Sequence, residues 1–378
     1  MLVIECLPDR FLKRQIATEA GKVICKVSRS FFSFDDISIM TAPIWLVAGE
    51  MKTLPSHFDG RRFRNLVPRR NGFSALLRWM LSRKQGPWRV ERRSPPSPLP
   101  ARNSERLRVT FINHSTFLIQ LKGINILTDP VWSERASPVS WAGPRRYREP
   151  GIPMDHLPPI DLVLLSHDHY DHMDLPTLQR LAREHRPTIY TGLKNGRILA
   201  RHGIGNVVEL DWWQEAAART DMWVTAVPAQ HFSGRTLFDR DQRLWCGFVL
   251  QTDDEALYFA GDTGAGPHID QIARHFPDLD LSILPIGAFR PEWFMGEVHM
   301  SPREALEAHF ALGTRVSVAS HFGTFALADD GDHEAVEGLQ DILRQTAMGG
   351  TEFWTLGFGE GREIPVRTLS VGQPRGIA

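Results

Sequence analysis

The chain has 378 residues, 42 % of them hydrophobic, and its 44 basic residues balance its 44 acidic ones; it is long enough for one large domain or two ordinary ones with a sizeable core. Zero net charge argues neither for nor against nucleic acid or an anionic membrane. Three distant cysteines, Cys6, Cys25 and Cys246, exclude a disulfide framework and a thiolate zinc site, and no run approaches the roughly 20 apolar residues that span a bilayer.

Residues 1–55 carry no readable pattern and stand as an unassigned N-terminal extension. Residues 56–106 read as a basic arm and linker. Between 61 and 108 there are fourteen Arg or Lys against Glu91 and Glu105, and a Pro/Ser-rich run follows at 94–100. A solvated wrapping segment is the expectation. Leu76, Leu77, Trp79, Met80 and Leu81, set among the basic residues, keep contact with an anionic lipid surface open as the alternative.

From residue 107 to 365 strand-length apolar segments recur between helical patterns, and this is the expected domain, with 366–378 as a tail. Val109 and Phe111, then Phe117, Ile119 and Leu121, alternate as a half-buried strand pair does. A further apolar run at 124–127 enters Thr128-Asp129-Pro130, and short buried strands are expected at 162–165, 224–227, 256–260, 281–286 and 316–319. Leu175, Leu178, Leu181 and Ala182 share one helix face, and Ser301-Pro302-Arg303-Glu304 is a capping box with proline at the first helical position. The fold class is therefore α/β (α+β), a sandwich of mixed strands covered by helices.

The segment Ser166-His167-Asp168-His169-Tyr170-Asp171-His172 directly follows the strand at 162–165. Three imidazoles and two carboxylates in six residues cannot enter an apolar core unpaired. Imidazole and carboxylate donors without thiolate suit zinc, with iron or manganese as other occupants. One loop cannot complete two metal shells, and three further strands end on metal-type residues. The 224–227 strand leads to His231, the 256–260 strand to Gly261-Asp262, and the 316–319 strand to Ser320-His321. Each has an ordinary explanation alone, as a surface histidine or a turn aspartate. Their convergence at strand exits is what open sheets do with their sites.

The 166–172 segment matches the SHxHxDH signature of the metallo-β-lactamase superfamily, and His231, Asp262 and His321 follow in that family's order. Thr128-Asp129-Pro130, the 209–213 and 285–288 segments, Trp293-Phe294-Met295 and the 321–328 segment resemble the N-acyl-phosphatidylethanolamine-hydrolysing phospholipases D within it. The resemblance covers roughly residues 107–330 and implies an αββα sandwich of two mixed sheets flanked by helices. It implies two zinc ions per chain, one held by His167, His169 and His231, the other by Asp171, His172 and His321, with Asp262 bridging. It also implies phospholipid contacts from Tyr170 and His299 and a supporting role for Asp129, which orients the His-rich loop. A hydroxide between the two metals would then be the nucleophile, with no side-chain nucleophile beyond it, and the products would be phosphatidic acid and an N-acylethanolamine.

Other readings remain. A lactonase or other hydrolase of soluble substrates would keep the metals and change the substrate. A binder of nucleic acid or anionic ligand would use the basic arm and keep the metal for structure, but no base-stacking interleave of aromatic and basic residues is present, so nucleic acid is not an expected partner. The phospholipase reading predicts an apolar entry supplied by Trp79, Trp132, Trp141, Phe289, Trp293 and Phe294, and a cytoplasmic chain, soluble or peripheral to a membrane. The oligomeric state is open, a homodimer included.

Overall fold

The computed structural model describes residues 57–91, 98–236, 238–345 and 352–366, and the backbone alone of 14–19 and 22–27. Residues 1–53 and 54–378 are separate compact units. In the first, β1 (Arg14–Glu19) pairs antiparallel with β2 (Lys22–Val27), a hairpin where the sequence shows no readable pattern. Most of the Pro/Ser-rich run and nearly all of the expected tail lie outside the described residues.

The second unit opens with an extended segment and α1 (Phe73–Ser82). Three antiparallel strands follow: β3 (Arg108–Asn113), β4 (Thr116–Leu121) and β5 (Ile124–Thr128). The sheet then turns parallel through β6 (Leu162–Leu165), α2 (Leu175–Glu184), β7 (Thr188–Gly192), α3 (Gly196–Arg201) and β8 (Val207–Leu210).

The second sheet repeats that progression. Its antiparallel part is β9 (Glu215–Arg219), β10 (Met222–Val227), β11 (Gly247–Thr252) and β12 (Ala256–Phe259). Its parallel part runs through α4 (His268–His275), β13 (Leu281–Pro285), α5 (Glu292–Met295), α6 (Pro302–Leu312), β14 (Val316–Ser320), α7 (Glu334–Gln345) and β15 (Phe353–Trp354). A last short strand, β16 (Gly361–Glu363), returns to pair with β3. Each sheet thus holds seven strands, ordered β16-β3-β4-β5-β6-β7-β8 and β15-β14-β13-β12-β11-β10-β9.

Strand periodicity explains the layers. On β3 and β4, Val109, Phe111, Phe117 and Ile119 join Val224, Phe248, Leu257 and Ile283 of the other sheet in one core. The alternate residues Ile112 and Leu118, with Val163 and Leu165, join Leu178 and Leu181 of α2 in a second core on the outer face. Side chains at successive positions point to opposite faces, so both faces of this sheet are apolar and both are covered. Each fully buried Leu or Phe contributes about 1.5–3 kcal/mol. The expected capping box holds α6 in place: Glu304 N–H donates to Ser301 Oγ at 3.3 Å and Ser301 N–H to Glu304 Oε2 at 2.8 Å.

The segment from 57 to 91 packs on the strands and loops that follow it, within the same compact unit. Phe63 is buried in the inter-sheet core, and its N–H donates to the Asp241 carbonyl at 2.7 Å. Trp79 stacks on Phe294 at 5.2 Å, Arg83 pairs with Asp329 at 3.1 Å, and Trp88 Nε1 donates to the Asp330 carbonyl at 2.8 Å. The charge run reads as an arm because most of its arginines are exposed, although Arg69 and Arg83 pair with Asp241 and Asp329. The aromatic and amide side chains between them anchor it.

Candidate metal centre

Every sequence-selected donor lies where a strand ends. The loop after β6 carries His167, His169, Asp171 and His172, the exit of β10 carries His231, that of β12 Asp262, and that of β14 His321. Gly261 makes the approach of the two sheets possible. It has φ +60°, and a Cβ there would lie 2.5 Å from Ser166 Cβ, so only glycine lets the Asp262 turn close against the His-rich loop. Gly287 does the same for His321, whose carbonyl oxygen a Cβ at 287 would meet at 1.9 Å.

The side chains gather into two clusters. In the first, His167 Nε2 lies 2.9 Å from His169 Nδ1, which lies 3.2 Å from His231 Nε2. Burial first, then repulsion from neighbouring histidines, holds His167 well below the ordinary histidine value, and burial likewise lowers His169 and His231. Lowered values favour the neutral imidazole that metal ligation requires. The second cluster brings carboxylate and imidazole together. Asp171 Oδ2 stands 3.3 Å from His172 Nε2 and 3.5 Å from His321 Nε2. Burial works against charge here, yet Asp262, Asp171 and Asp129 outweigh it and raise His172 well above its usual value, and Asp262 and Asp171 bring His321 up to about 9. Asp171 and Asp262 are held well below the carboxylate range: burial opposes this, but attraction from His172 outweighs it, aided at Asp171 by the hydrogen bond to His114 and at Asp262 by His321.

Asp262 joins the clusters. Its Oδ2 is 3.0 Å from His321 Nε2, 3.2 Å from His172 Nε2, 3.7 Å from His231 Nε2 and 4.0 Å from His167 Nε2. The donors fit metal ions on two counts. A tetrahedral ion with bonds of 2.0–2.1 Å sets its nitrogen ligands about 3.3 Å apart, close to the spacing in the first cluster. Among the described residues His172 Nε2, His321 Nε2 and Asp262 Oδ1 are buried without a hydrogen-bond partner, a costly arrangement unless a cation meets them. All-nitrogen-and-oxygen donation suits zinc, manganese or iron.

The remaining expected residues take different places. Asp129 lies behind the His-rich loop: its carboxylate accepts from Ser166 N–H at 2.7 Å and Ser166 Oγ at 2.6 Å, and stands 2.6 Å from His172 Nδ1. His299 is largely buried beside the clusters, its Nδ1 3.9 Å from Asp262 Oδ2 and, among the described residues, without a hydrogen-bond partner, and burial lowers it to about 4. Tyr170 packs differently. Its hydroxyl donates to the Arg235 carbonyl at 3.0 Å, and the Arg235 guanidinium lies 3.8 Å above its ring, so it pins the segment after His231. Of the aromatic residues expected at an entry, Trp141 and Trp293 are exposed, while Phe289 is buried and Trp79 and Phe294 pack on each other.

Three supports escaped the sequence reading. His114, just past β3, is buried with Nε2 2.9 Å from Asp171 Oδ2. Asp168, inside the signature itself, is fully buried, ion-paired with Arg243 and accepts from Gly234 N–H at 2.8 Å. Asn65 reaches from the arm: its Nδ2 donates to the His231 carbonyl at 2.7 Å and its Oδ1 accepts from His231 N–H at 3.1 Å. Only His114 had a signal in the sequence, being one more histidine at a strand exit. His114, Asp129 and His321 all have positive φ, at +48°, +30° and +61°, backbone that non-glycine residues seldom adopt and that concentrates at functional sites.

Known proteins match this picture. The β-lactamase superfamily domain matches residues 124–322. An uncharacterised Mycobacterium tuberculosis protein is 38 % identical over 274 residues, 70 % of this chain and 72 % of that one. N-acyl-phosphatidylethanolamine-hydrolysing phospholipase D 1 of Caenorhabditis elegans is 34 % identical over 268 residues, 67 % of this chain and 75 % of the relative. In fold alone, the isothiocyanate hydrolase from Delia radicum gut bacteria matches with a TM-score of 0.55 at 22 % identity, over 68 % of this chain and 98 % of that structure. Two mixed sheets flanked by helices, His/Asp clusters at their shared edge and these relatives lead to one conclusion: the chain belongs to the metallo-β-lactamase superfamily and is a metallo-hydrolase.

Proposed function

We propose that this hydrolase is a phosphodiesterase of the phospholipase D type that cleaves N-acyl phosphatidylethanolamine to phosphatidic acid and an N-acylethanolamine, using two zinc ions. The observation that carries the substrate is the relationship to the C. elegans phospholipase, which spans two thirds of this chain. The paired clusters around Asp262 support the two-ion count.

Two zinc ions supply an activated water and neutralise charge on phosphoryl oxygens. The chain does the rest. Asp129 takes the Nδ1 side of His172 and the Val298 carbonyl, at 2.9 Å, that of His231, so both imidazoles present Nε2 inward in a single tautomer. Asp262 sets the spacing of the clusters by reaching into both. His299, neutral and with a free ring nitrogen beside Asp262, is placed to hydrogen-bond the phosphate. Tyr170 contributes by holding the segment after His231.

The same reading assigns peripheral lipid contact to α1. Trp79 docks it on Phe294, but Phe73 and Leu81 are 78 % and 81 % exposed and Arg78 lies over Trp293 at 4.6 Å; apolar residues with adjacent guanidinium groups suit an anionic headgroup boundary. Among the described residues no helix is long and apolar enough to cross a membrane.

The test offers zinc-loaded protein a panel of N-acyl phosphatidylethanolamine vesicles, phosphatidylcholine vesicles, a soluble phosphodiester and a lactone, with Asp262→Asn as control. Phosphatidic acid from the first, lost in the control, is expected. Turnover of the soluble phosphodiester or lactone with none on N-acyl phosphatidylethanolamine would overturn the substrate.

A further inference from the structure

The second cluster has a brace that none of the seven donors supplies. His114 is 1 % exposed and sits on the turn between β3 and β4. Its Nε2 stands 2.9 Å from Asp171 Oδ2, its backbone carbonyl accepts from His321 N–H at 2.8 Å, and its ring lies 4.1 Å from the His321 ring. One residue therefore grips two donors of the same cluster, which come from the loop after β6 and the exit of β14. Its own backbone is tied in turn, its N–H donating to Thr324 Oγ1 at 2.9 Å. A carboxylate offers only acceptors, so the shared proton resides on His114 Nε2, and the donated hydrogen bond restricts the directions Asp171 can point.

We infer that His114 is the positioning residue of the second metal site, holding Asp171 and His321 in ligating geometry without itself touching substrate. This rests on the two-ion reading above. It predicts an asymmetry. Removing the imidazole weakens binding of the second ion and leaves the first, built from His167, His169 and His231, intact. A glutamine at 114 can place an amide N–H near the position of imidazole Nε2 and restore the bond to Asp171.

Zinc titration of metal-stripped full-length protein by calorimetry, with stoichiometry from elemental analysis, tests this in wild type, His114→Ala and His114→Gln. The expected result is two ions in wild type and, in His114→Ala, a second ion bound about 10–100-fold more weakly with the first unchanged. Glutamine should recover most of the loss, and cobalt substitution should show the loss in the absorption of one site only. Unchanged affinity for both ions in His114→Ala overturns the inference, as does equal weakening of both sites or a glutamine variant no better than alanine. One ion in wild type overturns the two-ion reading itself, and this inference with it.

Discussion

The two sheets serve the site in unequal ways. The first delivers four donors on a single loop, at 167, 169, 171 and 172, and surrounds them with braces: Asp129 behind His172, His114 behind Asp171, and Asp168 tied to Arg243. The second delivers three donors from three separate strand exits, with less around them. His231 is held by Asn65 and the Val298 carbonyl and the His321 backbone by the His114 carbonyl, whereas among the described residues both ring nitrogens of His321 and one oxygen of Asp262 have no hydrogen-bond partner. A dense loop brings its own repulsions and needs rigid partners to hold them. Single donors on separate strands are positioned chiefly by the sheet, and the cation completes them.

Four substitutions sharpen or break that comparison. Asp262→Asn has the largest effect, because among the described donors this carboxylate reaches both clusters. Turnover should fall by at least about 10³-fold, the several kcal/mol that metal-ion catalysis supplies, and elemental analysis should find fewer than two ions per chain. Asp129→Ala follows. It strips partners from Ser166 and His172 at once, so chemical denaturation of the metal-free protein should show about 3 kcal/mol or more of lost stability. A small loss there would mean that the first-sheet loop is not braced as described.

Asn65→Ala leaves the N–H and carbonyl of His231 without their partners. A cost of about 1–3 kcal/mol in stability is expected, with weakened binding of the first ion in a calorimetric titration, since His231 belongs to that cluster. Unaltered metal affinity would show that the second sheet places His231 without help from the arm. The smallest effect belongs to Leu81→Ser, which should change stability by no more than about 0.5 kcal/mol and leave metal content alone. It should, however, reduce co-flotation with anionic vesicles. Undiminished flotation would remove α1 from the proposed lipid contact.

Much of this was legible in the residues themselves. Charged and imidazole side chains packed into 166–172 have no place in a core, and alternating apolar runs mark the strands whose ends carry His231, Asp262 and His321. Strand limits fell within a residue or two; the 281–286 expectation, for instance, is Leu281–Pro285 in the structure. The arm was harder to read. Its fourteen basic residues suggest solvation, and the side chains that dock it, Phe63, Asn65 and Trp88, are isolated within that run and follow no period. Asp168 was counted among the carboxylates of the loop but given no role, and its pairing with Arg243, 75 residues on, is visible only in the structure.

The sequence by itself determined which side chains can donate and that they stand at strand exits, because donor chemistry and apolar periodicity are local properties. Tertiary structure alone decided how the donors divide into two clusters sharing Asp262, and what braces each. The His114–Asp171 bond spans 57 residues and the Asn65–His231 bond 166. Hydrogen bonds between segments so far apart depend on how two sheets pack, and leave no periodic mark on either segment.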